Sequence, residues 1–179
     1  MRYQLFSKAP AIAKLVFSAW LLVGAGMVPA QAQSFIENPD WKESEVPPPP
    51  AFDFGKVQTF EVASNPNMIY GVDPASISIS KSDSVVRYVV VATSPSGVRN
   101  VMYEALHCST GEVKTYARYL PEGRWQPLAN PQWRSVFDKT PSMHALAFAR
   151  QGACDARAPA TSVREIVSKI KNTGRYLDQ

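Results

Sequence analysis

The sequence predicts a disulfide-stapled α+β domain: an antiparallel sheet of about five or six strands with a C-terminal helix packed on one face. Three observations predict it. A β-branched run, Val85 to Thr93, leads through Ser94-Pro95-Ser96-Gly97 into a second extended run ending at Cys108, which is the pattern of a long hairpin. A stretch from Ser162 onward carries a helix start signal followed by apolar residues at helical spacing. Cys108 and Cys154 are the only two cysteines in the chain, an even count that suits one bond.

Residues 1–32 read as a secretory signal and stand outside the fold. Arg2, Lys8 and Lys14 give a positive start with no acidic residue, Leu15 to Val28 is apolar, and Ala30-Gln31-Ala32 is a small-x-small site, so cleavage is expected between Ala32 and Gln33. The apolar stretch, as a helix, spans roughly 21 Å against a hydrocarbon core of about 30 Å, so a retained membrane anchor is disfavoured. No cysteine follows it for lipid attachment. The expected location is the periplasm, or outside the cell, with no transmembrane anchor after processing. Removing the three basic residues of the signal takes the formal net charge from +4 to +1 for residues 33–179. Little then remains to argue for nucleic-acid binding, whose electrostatic footprint is a strongly basic domain. The remaining chain is one domain's worth of sequence.

Residues 33–56 form a Pro-rich N-terminal segment. Pro47-Pro48-Pro49-Pro50 enforces an extended polyproline II strut that joins neither a helix nor a central strand. Trp41, Phe52 and Phe54 are expected to pin it to the domain. A partner's handle is the alternative.

Residues 57–179 are expected to form the single folded domain. Phe60-Glu61-Val62 and Met68 to Val72 read as short strands about an Asn65-Pro66-Asn67 turn. Asp73-Pro74 ends the second, with the Asp73 carboxylate capping the turn through Ala75 and Ser76. Ile77-Ser78-Ile79-Ser80 alternates as an edge or half-buried strand, and Ser82-Asp83 turns into the hairpin. With all four turn residues outside the ladder, Thr93 faces Val98 and Arg87 falls opposite Glu104, an opposite-charge cross-strand pair. We read this as a structural ion pair, with an acid/base pair in a pocket as the alternative.

After Cys108, the Ser109-Thr110-Gly111 turn leads to Glu112–Tyr119. There Val113, Thr115, Ala117 and Tyr119 alternate with Glu112, Lys114, Tyr116 and Arg118, as in a strand buried on one face. The stretch 121–141 is expected to be irregular or a short helix, its Trp125 and Trp133 covering the sheet. The same rings beside Arg124 and Arg134 are a possible stacking or sugar-binding surface. In the final element Ser162 and Glu165 form a capping box, and Val163, Ile166, Val167 and Ile170 make the buried stripe. Arg164, Ser168, Lys171 and Arg175 lie opposite, solvated or against anionic headgroups. Gly174 is expected to end the helix. In an exported chain a Cys108–Cys154 disulfide follows, tying this helix to the sheet edge.

No catalytic or cofactor motif is present: there is no G-x-S-x-G elbow, no phosphate loop and no dinucleotide turn. His107 and His144 are the only histidines, too few with two bonded cysteines for a metal centre. No cofactor is expected.

The tract Trp41 through Pro47, with Gly71-Val72-Asp73, Ser76-Ile77, Val86-Arg87-Tyr88, Ser96-Gly97, Tyr103-Glu104, Cys108, Tyr116-Ala117, Gly123-Arg124-Trp125, Trp133 and Cys154, resembles the CNP-one-like family of exported Gram-negative proteins. A looser likeness to surface adhesin E type domains lies in Asp73 to Ile77 and Arg87 to Cys108. The resemblance implies export and one small domain, and transfers no catalytic residue. The functional expectation is a non-enzymatic binding or accessory domain whose partner is an envelope protein or envelope component. A small periplasmic hydrolase using Glu104 or Asp73 with His107 is the competing class. A deep pocket joining those groups would favour it.

Overall fold

The computed structural model describes residues 40–63, 65, 67–138 and 143–177, so the expected signal sequence, with Ala32 and Gln33, lies outside the described residues. Eight strands form one antiparallel sheet: β1 (Gln58–Phe60), β2 (Ile69–Val72), β3 (Ser78–Ser80), β4 (Val85–Thr93), β5 (Arg99–His107), β6 (Glu112–Tyr119), β7 (Trp125–Pro127) and β8 (Arg134–Ser135). The path runs β1-β2-β4-β5-β6-β7, with β3 also paired to β4 and β8 also paired to β6. Helix α1 (Met143–Phe148), a small ribbon of β9 (Cys154–Asp155) and β10 (Ala158–Pro159), and helix α2 (Val163–Leu177) complete the chain. The fold is α+β.

Two strands beyond the expected number come from the stretch expected to be irregular or helical. Gly123, at φ +79°, closes a turn that returns Trp125–Pro127 along β6, and Arg134–Ser135 pairs with the start of β6. Pro127 is tolerated because β7 lies at the sheet's edge, where its missing N–H breaks no ladder bond.

The register of the central hairpin differs from expectation by one residue. Thr93 faces Arg99, Tyr88 faces Glu104 and Arg87 faces Ala105. The cause is the turn: Gly97 N–H donates to Ser94 O and Ser94 N–H to Val98 O, with Gly97 at φ +81°. Only Pro95, Ser96 and Gly97 therefore loop out, as in a three-residue hairpin whose last residue is left-handed. A one-residue slip sends every side chain of one strand to the opposite face. Arg87 and Glu104 consequently point to opposite sides of the sheet, and no ion pair joins them.

Both faces are covered, which is why all of β4 except Thr93 is buried. On one face Tyr88, Leu106 and Val86 pack with Phe148 of α1 and Ile166 and Ile170 of α2. On the other, Val85, Val89, Tyr103 and Ala105 are covered by Trp41, Val46 and Phe52 of the Pro-rich segment and by Trp125 and Trp133. The expected strut is thus, over residues 40–56, a strap across the second face. The alternation in β6 breaks at Tyr116, the extra residue where Thr115 faces Glu104 and Ala117 faces Tyr103. Thr115 turns to the helix side, while Tyr116 and Ala117 lie in the strap-side core.

The Ser162 hydroxyl accepts from the Glu165 N–H at 3.2 Å, as a capping residue should. Glu165 bonds back to Thr161, one residue earlier than the usual box. The helix passes Gly174 and ends at Leu177, beyond its expected stop. Cys108 and Cys154 are bonded, with their Cα atoms 5.6 Å apart.

Candidate functional site

The register places the ionisable side chains in three separate groups. On the helix side, Glu104 projects from β5 beneath α1. Its Oε2 lies 2.8 Å from His144 Nε2 and 3.1 Å from the Tyr88 hydroxyl, and its Oε1 accepts from Thr115 Oγ1 at 2.9 Å. Burial works to raise the Glu104 pKa. The adjacent His144 imidazole and the hydrogen bonds from His144, Thr115 and Tyr88 outweigh it and hold the carboxyl below its ordinary value. Tyr70 stacks on the His144 ring, centroids 5.6 Å apart.

On the strap side Arg87 meets Asp83 at 2.8 Å and Glu43 of the strap at 3.6 Å. Asp83 also receives the N–H and hydroxyl of Ser44, and its backbone carbonyl accepts from Trp41 Nε1. Glu43 is held further by Lys114 at 2.7 Å and by the Tyr116 hydroxyl. Burial opposes ionisation of Asp83, yet its bonds to Arg87, Ser44 and Ser80 keep it far below the usual carboxylate range. The same Glu43 contact, added to burial, pushes the Tyr116 hydroxyl well above its ordinary pKa. Opposite charges buried under a segment of chain clamp that segment in one place.

At the end of β5, His107 Nε2 meets Ser109 Oγ at 2.7 Å and Nδ1 meets Thr110 Oγ1 at 2.9 Å. The Thr110 hydroxyl has one proton and gives it to Glu112, 2.7 Å away. The proton shared with Thr110 is therefore His107's own Nδ1–H, and in the neutral imidazole Nε2 then accepts from Ser109. This relay has the order of an activated serine. Its imidazole is 4% exposed and stacked on Trp41 at 4.2 Å, and the hydrogen-bonded trio fastens the β5–β6 turn where that turn borders an open cleft.

Glu104, Asp73 and His107, the groups considered from sequence for acid–base work, are not brought together. Glu104 faces the helices and His107 the strap. Asp73 caps its own turn, accepting from Ala75 N at 3.0 Å, and also holds the Asp53 N–H at 2.8 Å. Trp125 and Trp133 are half-buried and do not form one stacking surface. Trp125 lies against Phe52, Tyr103 and Tyr119, and Trp133 against Trp41 and His107, while Arg124 is exposed.

The structure also opens a cleft that the sequence did not suggest, of about 550 Å³, beside the disulfide. Its floor is Leu106 and Val136, with Leu146 and Ala149 on its wall; Phe137 and Arg150 line its exposed rim. Gly111, at φ +69°, lets the Phe137 ring approach to where a Cβ would stand 3.1 Å from it. The cleft is assembled from five separate parts of the chain, none of which carries a motif. Among the described residues no group of His, Cys, Asp and Glu is placed to hold a metal ion, and no helix is long and apolar enough to cross a membrane.

The model of the CNP1-like family matches residues 36–171. No curated protein and no solved structure matches the chain.

Proposed function

The chain belongs to the CNP1-like family, and from that membership we propose that it is an exported cell-envelope domain that binds rather than transforms its ligand, through the cleft beside the disulfide. The observation that carries this reading is how the reactive groups are spent. Glu104, Asp83 and Glu43 are each engaged by partners inside the fold, and His107, whose turn borders the cleft, is held between Ser109 and Thr110; the rest of the concave surface is mostly apolar, with Arg150, Arg157, Lys169 and Asp155 as its charged side chains. A cleft of this size, mostly apolar with a few charged groups at its mouth, is the ordinary form of a small-ligand site. Export is supported by the basic, apolar and small-residue sections of residues 1–32, and by a disulfide that persists in an oxidising compartment.

Two measurements test the reading. Fractionation of cells expressing the full chain should recover a processed form in the periplasm or the medium. A thermal-shift screen of envelope-derived small molecules should find ligands that raise the Tm of the wild type and not of Leu146→Asp. A cytoplasmic, unprocessed product, or ligands that stabilise both proteins equally, would count against it. Labelling of Ser109 by a fluorophosphonate probe would favour the hydrolase reading instead.

A further inference from the structure

We propose that the outer edge of β1 and the cleft at its end form a second binding site, which takes an extended peptide of alternating apolar and basic residues as an added strand. The inference goes beyond the binding reading above and does not depend on it.

The edge is already bonded as though a strand lay along it. β1 ends the strand order, so no strand covers its outer side. Just past β1 the Gln151 carboxamide accepts from the Glu61 N–H at 3.2 Å and donates to the Glu61 C=O at 2.6 Å, while the Gln58 carboxamide donates to the Thr59 C=O at 3.5 Å. A carboxamide carries the donor and acceptor of a peptide group, so the main chain of an incoming strand fits the groups that these two side chains hold. The bonds are made at the surface, and a peptide that displaces the side chains remakes each one.

A cleft of about 480 Å³ lies against the same residues. Phe60, Val62, Met68 and Ile170 give it an apolar lining, and Ile69 stands 60% exposed on it. An added strand turns alternate side chains to such a surface, its main-chain bonds supplying affinity and the pocket supplying selectivity. Among the described residues Glu61 is the one charged side chain of the lining, and its exposed carboxylate enters no ion pair. A basic residue in the peptide complements it, where an acidic one is repelled. The occupant is a peptide rather than a second copy of the chain because each copy's edge carries its own Gln151. Pairing two edges must displace two carboxamides, and a peptide displaces one.

The test is fluorescence anisotropy with the full processed chain and three labelled heptapeptides: alternating valine and lysine, alternating valine and glutamate, and the valine–lysine sequence N-methylated throughout, which cannot donate to a sheet edge. Only the first should bind the wild type. Gln151→Ala should bind it roughly tenfold more tightly, since the peptide no longer competes with the carboxamide. Glu61→Lys should weaken it by roughly tenfold, from the reversed charge. Phe137→Ser, at the rim of the cleft beside the disulfide, should bind it as the wild type does, so that failure at one site is told apart from failure at the other. Equal binding of the glutamate or N-methylated peptide, equal affinity in wild type and Gln151→Ala, or loss of binding in Phe137→Ser would each overturn the inference. No binding by any of these proteins would overturn it outright. A wild-type dimer in sedimentation velocity that Ile69→Lys dissolves would overturn it in favour of a second copy on the edge.

Discussion

Glu104 and His144 meet 2.8 Å apart, both buried, and so join the centre of the sheet to the first turn of α1. Donors from three elements converge on the one carboxylate, since Tyr88 of β4 and Thr115 of β6 bond to it as well. Removing one partner of a buried charged group costs more than the group contributes, because the others are left without acceptors. Glu104→Ala should therefore lower stability by about 3–5 kcal/mol, measured by urea denaturation. A double-mutant cycle should find coupling between Glu104 and His144, and none above about 0.5 kcal/mol between Glu104 and Arg87, which share no partner.

The same carboxylate sets a pH dependence. Its pKa in the folded protein is below the ordinary 4.5, so folding is favoured by its ionisation. That contribution is fully present above pH 4.5 and is lost as the pH falls through the lower folded value. Asp83, also depressed, acts in the same direction. Urea midpoints should fall steeply below pH 4.5, and the Glu104→Gln variant should show a shallower fall there. Equal slopes in the two proteins would remove Glu104 from the account.

These two carboxylates also mark what the sequence made legible. The spans Val85–Thr93 and Glu112–Tyr119, the Asp73 turn, the Ser162 cap and the cysteine pair were readable because each rests on local chemistry: β-branching, alternation, a short polar side chain and an even count. The partner of Glu104 was not. Its assignment turned on whether the hairpin loops out three residues or four, and Ser94-Pro95-Ser96-Gly97 is compatible with both until Gly97's left-handed conformation is known. His144 lies 40 residues from Glu104, and no periodic signal links them. The cleft was invisible for a related reason, since Phe137, Arg150 and Arg157 converge only after the disulfide and the α1 turn are in place.

The strap should behave as part of the core. Asp83→Ala would leave Arg87 buried without its closest acceptor and release both bonds to Ser44, a loss of about 3–5 kcal/mol. Limited proteolysis should then cut within residues 40–56, where the wild type resists, because the segment covers Val85, Val89 and Tyr103. Unchanged proteolysis in the variant would mean that Trp41 and Phe52 alone hold the strap.

Reduction of Cys108–Cys154 opens a loop with a sequence separation of 46. Constraining a loop of that length contributes roughly 4 kcal/mol in the loop-entropy model. Reducing agent should lower the urea midpoint accordingly, and the Cys108→Ala, Cys154→Ala protein should match the reduced wild type.

The free edge of β1 is guarded by a side chain. Just beyond the strand, the Gln151 carboxamide accepts from Glu61 N–H at 3.2 Å and donates to Glu61 C=O at 2.6 Å, as a neighbouring strand would. An unpaired edge is a template for another chain, and Ile69, 60% exposed on the adjacent strand, would add an apolar contact to such a pairing. Gln151→Ala removes the plug without touching the core. It should cost about 1–2 kcal/mol from two lost hydrogen bonds and raise concentration-dependent self-association, seen by sedimentation velocity. Adding Ile69→Lys to that variant should restore the monomer, because a charge on a strand edge opposes pairing. Association that persists with Ile69→Lys would place the contact elsewhere, and no association in Gln151→Ala would mean that the three residues of β1 are too short an edge to need guarding.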